Sequence, residues 1–316
     1  MNMTVRAFAP ASAANLSAGY DVLGMALDGL GDVVEASWHD APGVHIVEIT
    51  GDNGRLPVAP ERNTASVAVQ ALLEQIQETR GVALRIHKQM PFCSGLGSSA
   101  ASAAAAVFAV NALCGNPLST EALVPLAAIG ESVVSGSPHA DNVAPALLGG
   151  VVAILPNTPP HILKLTIGAP LFYTVVYPTL SVSTKKARAL VPKHIDMPLA
   201  TEQVARGAGF VHALAHGDWE LLARCLFDNF AEPSRAHLIP GFSLVRQAAL
   251  DAGAIGAGLS GSGPSLFALN PTIETAYRVA EAMCAVFHDQ GIDASTFVGQ
   301  VGASGARLIA DNEASV

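Results

Sequence analysis

The chain has 316 residues, half of them hydrophobic and only 14% charged, a balance that describes a globular protein with a large core and excludes a disordered one. Its length allows one large or two ordinary domains. A formal net charge of −9 argues against nucleic acid or an anionic membrane as partner, so any phosphate it binds must be held by local geometry and a cation. The four cysteines, Cys93, Cys114, Cys225 and Cys284, form no Cys-x-x-Cys pair, which argues against a zinc site or disulfide framework and for a reducing, cytoplasmic setting. No secretory leader is expected at the start, and no apolar run is long enough to span a bilayer.

Residues 5–9 read as a short strand stopped by Pro10. A small, polar stretch leads to apolar residues 22–27, and within it Asn15 and Asp21 have an ordinary reading as turn-stabilising side chains. Strands are expected at 33–37 and 44–49, with Gly51-Asp52-Asn53-Gly54 as a turn. Helical spacing of apolar residues predicts a helix over 63–79, ended by Gly81, and 82–87 alternates as a strand.

That strand delivers the chain to Pro91-Phe92-Cys93-Ser94-Gly95-Leu96-Gly97-Ser98-Ser99-Ala100, which runs into an alanine-rich helix. A glycine turn feeding a helix N-terminus leaves N–H groups and a positive dipole end facing outward, an arrangement that binds phosphate. No Gly-Lys-Ser/Thr follows, so it is not a Walker A loop. The letters Gly95, Gly97 and Ala100 fit a dinucleotide fingerprint, but the first acid afterwards is Glu121, inside the next helix. A well-capped buried helix is the bland alternative.

Residues 120–134 read as an apolar helix in which Glu131 stands out, either a solvated edge or a carboxylate held for a cation. The loop 136–145 concentrates His139, Asp141 and Asn142 between two prolines, then passes through Gly149-Gly150 to a strand at 151–155. The Pro/Asn/Thr break at 156–160 marks the expected domain boundary, giving domains 1–156 and 157–316. In the second half, strands at 162–167 and 172–177 precede Ser183-Thr184-Lys185-Lys186-Ala187-Arg188, the dense basic cluster of an acidic chain. Helices are expected at 201–216, 219–229 and 241–252, with Arg235 isolated in a break. A second glycine cluster at 256–264 is followed by a strand, 265–269, which excludes a Rossmann context. A helix at 273–290 and a strand at 295–301 complete an α+β pattern.

Three stretches together resemble the GHMP kinase family. Its phosphate-loop pattern Pro-x-x-x-Gly-Leu-Gly-Ser-Ser-Ala is matched letter for letter from Pro91 to Ala100, its C-terminal glycine motif by 258–264, and its N-terminal motif by 9–16. Within the family the chain is most similar to the homoserine kinase branch, through 13–16, 20–24, 138–146, 184–188 and 232–235. It departs from that pattern at Ser17-Ala18, where Gly-Pro is usual, and at Ala140.

The resemblance implies a two-domain α+β fold, a ribosomal-protein-S5-like nucleotide domain followed by a ferredoxin-like α/β-plait domain. It implies transfer of the ATP γ-phosphate to the side-chain hydroxyl of L-homoserine, giving O-phospho-L-homoserine on the route to threonine. By the same resemblance Pro91, Ser94, Gly95, Leu96, Gly97, Ser98, Ser99, Ala100, Ala101 and Gly261 meet the nucleotide, with Asn63 and Lys88 near its base. Ser98 and Glu131 match the Mg²⁺ position. Asn15 and Asp21 would hold the amino group of the substrate, and Arg188 and Arg235 its carboxylate. His139, Asp141 and Asn142 would border the pocket; Asn142 and Arg188 would serve the reaction itself, without a dedicated base. Dimers occur in the family.

Overall fold

The structure is a computed structural model and describes residues 3–157 and 159–310. In chain order its first elements are β1 (Thr4–Ala14), β2 (Leu23–His39), β3 (Val44–Thr50), α1 (Thr64–Ile76) and β4 (Gly81–His87). Next come α2 (Ser98–Leu113), α3 (Thr120–Ser135), α4 (Val143–Leu148), β5 (Val151–Leu155) and β6 (His161–Leu165). The later chain forms β7 (Phe172–Pro178), α5 (Thr184–Ala189), α6 (Met197–His216), α7 (Trp219–Cys225), α8 (Glu232–Arg235) and α9 (Phe242–Asp251). It ends with β8 (Gly256–Leu259), β9 (Leu266–Asn270), α10 (Ile273–Asp289), β10 (Ala294–Gln300) and β11 (Arg307–Leu308).

The first sheet runs β11-β1-β2-β4-β3, with β5 joined to β2 and β6 to β5. Pro10 does not stop β1: the β1–β2 register shifts between Pro10 and Ala11, and this irregularity accommodates a residue without an N–H. The strands expected at 22–27 and 33–37 are likewise one long strand, β2. The helix expected over 63–79 closes earlier, because Gln77 adopts a left-handed φ of 57° and caps α1. The expected boundary at 156/157 lies inside the β5–β6 hairpin, so this sheet takes in 161–165 and 307–308 from the second half.

Helix α2 lies at the centre of the first unit, between the sheet and α1, α3 and α4. Ala100, Ala101 and Ala103 to Ala106 are fully buried, and such small side chains let the helix sit close to its neighbours on every side. The second sheet runs β10-β7-β9-β8, all antiparallel, which in chain order is a 4-1-3-2 arrangement of ferredoxin-like type. Helix α10 packs on β7, β9 and β10 through Val279, Met283 and Phe287. Helix α7 stops at Cys225, short of the expected residue 229, because the Asp228 carboxylate accepts from Phe230, Ala231 and Glu232 N–H and starts a new turn.

Candidate active site

The three motifs meet in space. Gly261 N–H donates to Ala14 O at 3.1 Å, Ser12 N–H to Leu96 O at 3.0 Å, and Ser260 Oγ to Gly95 O at 2.8 Å. Gly95 has φ 78°, and a Cβ there would lie 2.5 Å from Ser260 O and 2.7 Å from Gly263 O. A Cβ on Gly97, φ 66°, would run into Ser12 Oγ and Asn142 Oδ1. Both glycines are therefore required by backbone conformation and by close approach. Gly97 caps α2 without a side-chain hydrogen bond, so the first turn of a 16-residue helix keeps its N–H groups for a ligand.

This turn opens on a cleft of about 260 Å³. Ser94, Gly95, Gly97, Ser98 and Ser99 line it on one side, and Asn15, Asp21, His139, Asp141, Asn142, Arg188, Arg235 and Gly261 on the others. Four residues expected at the nucleotide, Pro91, Leu96, Ala100 and Ala101, do not line the cleft. Leu96, Ala100 and Ala101 are fully buried, with Ala101 N–H already bound to Gly97 O, and shape the loop from its core side; Pro91 is half-buried.

Asn63 and Lys88 do line the cleft, but their polar atoms are committed to the protein. Asn63 caps α1, accepting from Ala65 N–H at 3.0 Å and donating to Pro57 O at 3.1 Å. Lys88 is buried and donates to the Asp32 carboxylate, to Ser102 Oγ at 2.8 Å and to Ser98 O at 2.8 Å. All three ammonium hydrogens are thus used, and Lys88 anchors the first turn of α2 from the cleft wall. Asp32 and Ser102 escaped the sequence reading, although a lone acid between Gly31 and Val33 in a buried strand was a usable signal.

Glu131 is not a solvated edge. Its carboxyl is buried behind Ser99, accepting from Ser99 Oγ at 3.0 Å, and burial pushes its pKa up to about 7 against the opposing pull of that bond and of Lys88. Ser98 Oγ is buried and has no hydrogen-bond partner among the described residues. A buried hydroxyl without a partner, next in sequence to the serine that bonds the Glu131 carboxylate, fits a hard divalent cation that takes its other oxygens from phosphates and water, as Mg²⁺ does. Among the described residues no group of three or more His, Cys, Asp or Glu side chains could hold a metal without such help.

The far end of the cleft is built from charge. Arg188 grips Asp21 with both terminal nitrogens, at 3.0 and 2.8 Å, while Arg188 Nε has no partner among the described residues. Arg235 is buried, pinned by Nε to Ala187 O and by Nη1 to Gly261 O, both at 3.1 Å. The Tyr20 ring lies near both guanidiniums, 5.9 Å from Arg188 and 5.6 Å from Arg235. His139 Nδ1 faces Arg188 Nη2 at 3.5 Å, so Nδ1 accepts and the proton sits on Nε2, toward Ser137 Oγ at 2.8 Å. Burial and Arg188 both push the His139 pKa down, which keeps the ring neutral. Asp141 is buried, and burial together with Asp21 raises its pKa to about 7. Asn142 Oδ1 accepts from Ser12 Oγ at 2.9 Å, a serine the site reading had left aside inside the N-terminal motif.

An uncapped helix N-terminus facing a charged cleft suits the chemistry of a small-molecule kinase. Family models agree: the GHMP kinases N terminal domain matches residues 63–150, and the GHMP kinases C terminal domain matches 210–289. The homoserine kinase of Chlorobaculum tepidum is 42% identical over 97% of this chain and 98% of its own, and that of Xylella fastidiosa strain 9a5c is 40% identical over 96% and 94%. The crystal structure of homoserine kinase from Cytophaga hutchinsonii superposes with a TM-score of 0.93 at 43% identity, covering 97% of each chain. A mevalonate kinase from L. major, crystallised with R-mevalonate, shares the fold at a TM-score of 0.68 and 17% identity, covering 96% of this chain and 98% of its own. The chain belongs to the GHMP kinase family. No helix among the described residues is long and apolar enough to cross a membrane.

Proposed function

We propose that the chain is a homoserine kinase, transferring the γ-phosphoryl group of ATP to the side-chain hydroxyl of L-homoserine. The observation that carries this reading is the Asp21–Arg188 pair with Arg235 in the same cleft as the glycine turn: an acid and two arginines suited to an amino acid, opposite a phosphate cradle. Phosphoryl transfer needs in-line alignment and neutralised charge more than covalent help. The Gly95–Gly97 turn and the first N–H groups of α2 would take the phosphates. Asn15 and Asp21 would face the ammonium, Arg188 and Arg235 the carboxylate, and His139, Asp141 and Asn142 the hydroxyl end.

In this reading the hydroxyl oxygen bonds to the γ-phosphorus as the bond to the β–γ bridging oxygen breaks and ADP leaves, and the hydroxyl proton passes to an oxygen of the transferred phosphoryl group and from there to solvent. Asn142, nearest the hydroxyl, orients it by its amide and takes no proton. Arg188 serves by holding the acceptor in line. Ser98 and Glu131 would hold Mg²⁺, which when bound supplies neutralising positive charge at the phosphates. A cytoplasmic setting suits an ATP-using enzyme with four unpaired cysteines. A homodimer, as occurs in the family, is compatible with it.

The test is a coupled ADP-release assay with ATP, Mg²⁺ and L-homoserine, L-serine, L-threonine, mevalonate or galactose. Turnover concentrated on L-homoserine is expected. Equal or better turnover of another alcohol would keep the phosphate cradle and overturn the acceptor assignment.

A further inference from the structure

The segment 15–21 carries both residues assigned to the substrate ammonium, and it has an unusual backbone. Asn15, Leu16 and Ser17 are consecutive non-glycine residues with φ of 73°, 44° and 55°, and Asp21 has φ 57°. Each such residue is disfavoured by contact between Cβ and the backbone and persists only where surroundings hold it. Local bonds account for part of the hold: Asp21 N–H donates to Asn15 Oδ1 at 3.0 Å, and Gly19 N–H to Asn15 O at 2.8 Å. They leave the Ser17 and Ala18 carbonyls, in a stretch that is nearly fully buried, without a local donor.

The donor comes from far along the chain. Gln203, on α6 and only 3% exposed, gives its amide hydrogens to Ser17 O at 3.0 Å and Ala18 O at 2.9 Å. Its orientation is fixed by chemistry, because Gln203 Oε1 accepts from Asn229 N–H at 2.9 Å and a backbone N–H can only donate. One buried amide thus joins the 15–21 segment to the start of the turn that leads into α8 and Arg235. Two walls of the acceptor pocket are set by the same side chain.

We propose that Gln203 is a positioning residue for the acceptor site, a clamp that holds 15–21 in its left-handed form so that Asn15 and Asp21 face the substrate. The inference rests on the homoserine kinase reading for its kinetic consequence, but not for its structural one. Gln203 lines no part of the cleft and touches no substrate. It acts through the backbone, and none of its own hydrogen bonds goes to the phosphate loop.

The experiment compares wild type, Gln203→Met and Gln203→Glu. Methionine keeps the volume and removes both donors. Glutamate, buried against carbonyl oxygens, is favoured in its protonated form and then restores one donor. For Gln203→Met we expect the KM for L-homoserine to rise about 10-fold or more, with kcat at saturation and the KM for ATP changed less than about 2-fold. Gln203→Glu should fall between the two and recover toward wild type as pH is lowered from 8 to 6. Amide hydrogen exchange, read by mass spectrometry without substrate, should quicken in 15–23 in Gln203→Met while 94–101 is unchanged.

An unchanged homoserine KM, or a parallel rise in the KM for ATP, would overturn the clamp, as would unaltered exchange in 15–23. A Gln203→Met protein too unstable to assay leaves the decision to Gln203→Glu, whose lack of any pH-dependent recovery would also count against it. If the wild type fails to phosphorylate L-homoserine, the functional reading falls, and the exchange comparison alone decides the clamp.

Discussion

The two ends of the cleft are made in different ways. The glycine-turn end, proposed to take the phosphates, is lined by one short run, 94–99, with glycines at the points where another chain segment comes within van der Waals contact. The other end is lined by charged and polar side chains from four separate stretches, Asn15 and Asp21, His139 to Asn142, Arg188 and Arg235. A cradle of N–H groups has the same form for any phosphate, whereas an arrangement of charges defines one shape of acceptor. The first should tolerate almost no change of backbone, and the second should trade selectivity for each charge removed.

The strongest challenge to the phosphate end is Gly95→Ala. The new Cβ would meet two carbonyl oxygens at 2.5 and 2.7 Å and sit at φ 78°, so the turn must shift. A displacement near 1 Å at such a site costs about 100-fold, and kcat/KM should drop by that or more with either substrate varied. At the acceptor end, Arg188→Leu leaves Asp21 without its bidentate partner and an incoming carboxylate without a facing cation. The expected loss is about 2–5 kcal/mol in kcat/KM for homoserine, with the KM for ATP flat in the same assays.

Asp141→Asn separates charge from shape. The folded Asp141 carboxyl titrates at about 7, above its ordinary 3.8, so it favours the folded state below pH 4 and loses that contribution as pH rises through 7. The asparagine variant should therefore gain on wild type in melting temperature from pH 5 to pH 8; a constant difference would contradict the burial argument. The smallest expected effect is Ser17→Gly. Glycine accepts φ 55° without strain and removes a buried hydroxyl that has no partner among the described residues. Relief of about 1–2 kcal/mol of left-handed strain outweighs about 0.5–1 kcal/mol of added chain entropy, so a gain of at most about 1 kcal/mol is expected in chemical denaturation.

The same contrast explains what was legible in the sequence. The glycine turn, its alanine helix and the second glycine cluster could be read because local backbone needs impose local residue types. The ferredoxin-like order of the second sheet came only from resemblance, since strand order depends on pairings far apart in sequence. Lys88 was placed near the base by resemblance alone, and nothing local in the sequence pointed to Asp32, 56 residues away, which holds its ammonium at the cleft wall. Glu131 stayed ambiguous because burial of a helix residue depends on what packs over it, here Ser99. Gln203 carried no signal at all: a polar residue on an otherwise amphipathic helix reads as surface, and only the fold reveals the two carbonyls it serves.

The account rests most heavily on the acceptor end reading both charges of an amino acid. The direct measurement is kcat/KM for L-homoserine beside 4-hydroxybutyrate, which lacks the ammonium, and 3-amino-1-propanol, which lacks the carboxylate. Each analogue leaves a charged group in the cleft without its partner, so each should fall by about 100-fold or more. Turnover of either analogue within about 10-fold of homoserine would contradict the account and leave the cleft a phosphate cradle with an unselective mouth.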